Sequence, residues 1–176
     1  MKIKIKDRVL LGVVSGVLAG MPSLLLNIYE HKKGLVNMTY PQSAGTLSLK
    51  KSRINTIEGK IISHVTNAIG MSSSGVATTY IMSSTGRDHP ILKGIGVHYL
   101  YGVILAAILP KFGLVAKVKP KFPVLGLIEH TISGVLCGLL VARLGDDSLF
   151  PDKRTSIDEK TYKKPVVNIK AKNSNI

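Results

Sequence analysis

The chain has 176 residues, 45% of them hydrophobic, and 24 Lys and Arg against 10 Asp and Glu give it a formal charge of +14. That length allows one domain with a core of its own, and a single cysteine, Cys137, excludes an internal disulfide and a cysteine zinc site. A charge this basic points to phosphate, but no helix-turn-helix, zinc-finger or RNA-binding aromatic motif accompanies it, which sets nucleic acid aside.

Distribution says more than totals. Long windows are almost free of charge, and the basic residues crowd into the segments between them. Spanning segments must be apolar and their flanks collect Lys and Arg, so this is the pattern of an integral membrane protein. The basic flanks would meet anionic head groups, each contact worth about 1 kcal/mol. The expected fold is all-α: a four-helix bundle in the cell (inner) membrane over residues 1–145, then a polar, disordered tail over 146–176.

The first window runs from about Val9 to Ile28, after Lys2, Lys4, Lys6 and Arg8. At about 1.5 Å per residue it covers one hydrocarbon thickness, about 30 Å. A signal peptide cleaved after Ala19 competes with this reading, as does a segment that dips in and returns. The second window, about Ile57 to Met82, is more polar, with His64, Asn67 and Ser72 to Ser74. It reads as a span shielded from lipid by the others. The third, about Pro90 to Leu109, has a proline suited to a first helical turn and Pro110 as its stop. The fourth spans about Pro123 to Leu144. Tyr29, Tyr80, Phe112 and Phe122 bracket these windows, as interfacial rings do. Both connecting sides are basic; the basic start and tail together place the termini in the cytoplasm.

Small residues recur at every fourth position: Gly12, Gly16 and Gly20 in the first window, Gly134, Gly138 and Ala142 in the fourth. The second has Gly70 with Ser74 and Gly75 with Thr79. Residues four apart share a helix face, so each set is a flat strip on which another backbone can settle. The glycines lack the spacing and the Lys-Ser ending of a phosphate loop.

Polar residues inside apolar windows are the candidate site. Glu129 and His130 interrupt "GLIEHTISGVLCGLL", and His98 interrupts the third window. With His64 they form a candidate intramembrane polar or ion site, joined on the same side by Glu30, His31 and Glu58. A buried charge must pair, titrate or face water. One reading is an interhelical pair of Glu129 with His98 or Lys93 that fixes packing. The other is a site for protons or for a metal of unspecified identity, since carboxylates and imidazoles serve both. No His-Glu-x-x-His, Gly-x-Ser-x-Gly or paired-aspartate motif is present, so neither an enzyme nor a cofactor is expected.

The stretch "GIGVHYLYGVILAAILP" (94–110), followed by a second apolar helix with its own histidine, resembles the YagU-like bacterial inner-membrane proteins. The resemblance implies a small four-span protein and carries over no catalytic residue. The first functional reading is a non-catalytic structural or interaction protein, a homo-oligomer gripping anionic lipid, with a protein partner left unspecified. The second is a small proton or metal-ion carrier.

Overall fold

The computed structural model describes residues 4–151, which are helical with no strand among them. Five α-helices follow in order: α1 (Arg8–Lys32), α2 (Tyr40–Gly45), α3 (Ile57–Thr85), α4 (Pro90–Val103) and α5 (Val124–Leu144). Local chemistry sets their ends. Asp7 caps α1, its Oδ1 accepting the Leu10 N–H at 2.7 Å, and Thr56 caps α3 through the Gly59 N–H at 3.0 Å. Thr39 and Gln42 form a reciprocal capping box on α2. Gly86, at φ 90°, lets the chain leave α3, and Pro90 opens α4.

The four long helices run alternately up and down. Helix α1 packs on α3 and α5, and α4 packs on α5, whereas α3 and α4 touch far less. One end gathers the chain start, the 86–89 turn and residues 145–151. There the Ile5 N–H bonds the Leu144 carbonyl at 2.8 Å and the Asp146 N–H bonds Ile5 at 2.9 Å. The other end gathers α2 and the 113–123 connection, tied by Lys121 N–H to Leu35 O at 2.8 Å.

Three helical segments, Arg8–Lys32, Pro90–Phe112 and Val124–Leu144, are long and apolar enough to cross a membrane. Helix α3 is not one of them, against the expectation of a fourth span. Its 29 residues, about 44 Å at the standard rise, suffice in length. Asn67 and the Ser72–Ser74 run dilute its apolarity.

The packing is inverted relative to a soluble bundle. Bulky side chains face outward, among them Leu25 at 62% exposure and Leu92 at 67%, while Ser15, Asn27, Thr78 and Glu129 lie inside. A contiguous outer apolar surface of this kind suits hydrocarbon. Two interior hydroxyls are satisfied locally: Thr78 and Thr79 bond the carbonyls four residues back, at 2.9 and 3.0 Å. Glycines sit where backbones meet. A Cβ on Gly134 would stand 2.6 Å from Ile95 Cα, one on Gly138 2.8 Å from the Pro90 carbonyl carbon, and one on Gly16 3.0 Å from Gly75 Cα. Gly12 meets Val76 of α3, and Gly20 lies under the Met71 side chain. Gly70 differs from the expected strip, since nothing stands within 4 Å of its missing Cβ.

Two expectations need correction. The third window does not stay α-helical to Leu109: Ile104–Ile108 form a π-turn, with the Leu109 N–H bonding Ile104 O, and Leu109–Phe112 a 3-10 turn. Pro110 offers no N–H and its ring crowds the carbonyl four residues back, which favours a widened turn ahead of it. Nor does the expected polar tail begin at 146. Asp147–Leu149 form a 3-10 turn, and Leu149 and Phe150 are buried in the core with Leu11, Met82 and Val141. A single aromatic ring fills the gap above Gly145, with the Arg87 guanidinium 4.8 Å from its centre. The remaining tail, 152–176, lies outside the described residues.

Candidate functional site

Gly16, Gly20, Ser23, Asn27 and Glu30 follow one another at steps of three and four, and all are buried along one face of α1. Opposite them α5 presents Glu129 and Ser133, one turn apart. The Ser133 hydroxyl donates to Ser23 Oγ at 2.7 Å, and Ser23 donates to the Glu129 backbone carbonyl at 2.7 Å. That chain of bonds fixes the register of α1 against α5.

The Glu129 carboxylate is met from a third element. Asn27 Oδ1 accepts the Tyr40 N–H at 2.8 Å, anchoring the start of α2. Tyr40 then points its hydroxyl at Glu129 and donates to Oε2. Burial first, and the Glu129 charge second, hold the Tyr40 phenol above its usual pKa, so it stays a donor. Glu129 Oε1 has no hydrogen-bond partner, although Glu129 is 2% exposed. The Asn27 amide lies close to the carboxylate, but no well-formed hydrogen bond joins its nitrogen to Oε1. Glu30, also 2% exposed, leaves Oε2 without a partner and lies near enough for the two carboxylate charges to repel.

Glu129 is therefore not paired with His98 or Lys93. The His98 ring spans Gly94 O, 3.0 Å from Nδ1, and Ser74 Oγ, 3.5 Å from Nε2. Lys93 lies at the other end of the bundle, bonded to Asp88 at 2.8 Å and to Gly86 O at 3.1 Å. Its hydrogen bond holds the exposed Asp88 carboxyl below the usual range. His130 leans on Tyr40, ring centres 6.4 Å apart, and fills the space that a side chain on Gly102 would take. His64 stands apart, exposed on α3 beside a smaller hollow of about 400 Å³. His31 bonds Val36 O at 3.2 Å, and Glu58 is exposed. Among the described residues, no group of three or more His, Cys, Asp or Glu is placed to hold a metal ion.

His98, Glu129 and His130 do share one cavity, of about 820 Å³. Helix α1 contributes Gly16 to Asn27 positions, α3 the Thr66–Ser74 stretch, α4 and its π-turn His98 to Leu109, and α5 Gly126 to Ser133. Tyr40 and the 115–118 stretch of the connection close the end near α2. The cavity's lining residues Ile69, 63% exposed on α3, and Leu105, 45% exposed in the π-turn after α4, lie on helical segments in little contact with each other.

Sequence reasoning singled out Glu129, His98 and His130, which line this cavity, and did not single out Asn27 or Tyr40. Asn27 carried a usable signal, since it continues the Gly16–Gly20–Ser23 spacing toward Glu30. Tyr40 carried none: its contact crosses 89 positions and depends on how α2 folds back. Compared with protein-family models, with curated proteins and with solved structures, the chain matches none.

Proposed function

We propose that this is a multi-pass membrane protein that carries a small solute, a proton or another cation, through the cavity at Glu129. The observation behind the reading is a half-satisfied buried carboxylate, Oε1 without a partner, in a cavity shared with His98 and His130. An unmet buried acceptor costs about 1–3 kcal/mol, which a cationic solute at Oε1 would offset. Outward bulky side chains and three sufficiently apolar segments support the membrane setting, and the basic connections suit anionic head groups. Kinship with the YagU-like inner-membrane proteins is part of the same proposal.

Purified chain in liposomes tests it. An imposed potential and pH gradient should drive a flux read by an internal pH dye, and Glu129→Gln should abolish it in folded protein. Folded wild-type protein that passes neither protons nor metal ions overturns the carrier. That result favours the second reading, a membrane scaffold or homo-oligomer. It is supported by the closed Ser133–Ser23–Glu129 chain of bonds, which by itself only locks helices together.

A further inference from the structure

The walls and the closed end of the cavity have different chemistries. Most of the wall is apolar, including Leu24, Val103, Leu105 and Val115. Gly70 and Gly126 also line it, and nothing stands within 4 Å of either missing Cβ, so those glycines face space and not a neighbouring helix. The closed end holds Glu129 with Glu30 near it, and among the described residues neither has a cationic partner. The ion pairs Arg87–Asp147 and Lys93–Asp88 sit at the opposite end of the bundle. Lys117, exposed on the connection, also lines the cavity, yet Glu129 Oε1 has no partner. The His98 ring is engaged by Gly94 and Ser74.

A bare inorganic ion satisfies the carboxylate but leaves about 820 Å³ of apolar-walled space to water. A neutral apolar molecule fills the space and leaves Oε1 unmet. One class of solute satisfies both. We propose that the cavity binds a lipophilic organic cation, an amine or onium centre carrying apolar substituents, entering between α3 and α4. Its charge would rest against Glu129 Oε1, in a cavity that the Tyr40 and His130 rings also line. Its body would lie against α3, the π-turn and α5. The inference rests on the carrier reading and names the solute class for that site; equilibrium binding needs no transport, so the two can fail separately.

The test uses the full chain in detergent micelles with tetraphenylphosphonium as probe, and tetraphenylborate as its counterpart of like shape and opposite charge. Equilibrium dialysis should show saturable, single-site binding of the cation, with the anion weaker by at least about tenfold. Glu129→Gln should weaken the cation by a similar factor. Gly126→Leu should do the same by occupying the cavity, while leaving the unfolding temperature unchanged, and it carries the test if Glu129→Gln does not fold. Equal binding of the two ions overturns the proposal, as does an absence of saturable cation binding. So does cation binding that survives either substitution. Proton flux without cation binding leaves the carrier standing and removes the organic cation; cation binding without flux does the reverse.

Discussion

Removing the Tyr40 hydroxyl leaves both oxygens of the Glu129 carboxylate without a hydrogen-bond donor in a site that is 2% exposed. Tyr40→Phe should therefore cost about 1–3 kcal/mol, seen as a lower unfolding temperature in detergent. Adding Glu129→Leu to Tyr40→Phe should recover part of that loss, because an apolar replacement leaves no stranded charge. Losses that simply add mean that the phenol and the carboxylate do not depend on each other. The same pair sets an alkaline limit. The phenol's pKa is raised in the folded chain, so the unfolded chain loses its proton first as pH rises. Stability is intact below the ordinary phenol range and falls above it, and a titration from about pH 9 to 11 should show this in wild type but not in Tyr40→Phe.

Glycine substitutions separate two kinds of helix surface. Gly134→Leu forces a side chain into the α4 backbone, where even a Cβ would stand 2.6 Å from Ile95 Cα. A loss of about 1–3 kcal/mol or more follows from overpacking. Gly70→Ala meets nothing within 4 Å and removes a flexible residue from a helix interior, so it should be neutral or stabilising by up to about 1 kcal/mol. Thermal unfolding of the two variants checks the contrast, and equal losses mean that the close contact at Gly134 is not what holds α4 to α5. The four long helices were legible in sequence, since apolar runs and Pro90 mark them from within, whereas the short α2 was not. Nor was the cavity. It depends on how little α3 and α4 touch, and no local spacing along either helix records that. The π-turn is an intermediate case: Pro110 announces that regular bonding fails, without saying that the preceding turn widens instead of ending.

At the scale of the chain, the two ends of the described region close on each other. Ile5 bonds Leu144 and Asp146, and Phe150 packs over Gly145 and Leu11. Phe150→Ala should cost about 3–5 kcal/mol, the usual loss for a fully buried ring, measured as detergent unfolding. The sequence hid this because one Phe and one Leu in a polar segment cannot form a core alone; their burial depends on a surface assembled elsewhere. The charge of +14 belongs to the same scale. Retention on membranes through alkaline carbonate washing is expected if the apolar outer surface, and not this charge, holds the chain there. Release by the wash identifies a peripheral, electrostatic attachment.

The polar stripe on α1 also has a consequence for the order in which the molecule is made. A ribosome delivers α1 first, yet Ser23 bonds α5 and Asn27 bonds the start of α2, while the packing partners of α1 are α3 and α5. Until residue 133 has emerged, the serine, asparagine and glutamate of that stripe have no fifth helix to face. Newborn α1, although apolar enough to span, thus carries polar groups without their partners and is a good substrate for quality control. Chains halted before α5 should be degraded faster in pulse-chase labelling than chains halted just after residue 151, although both carry the whole of α1.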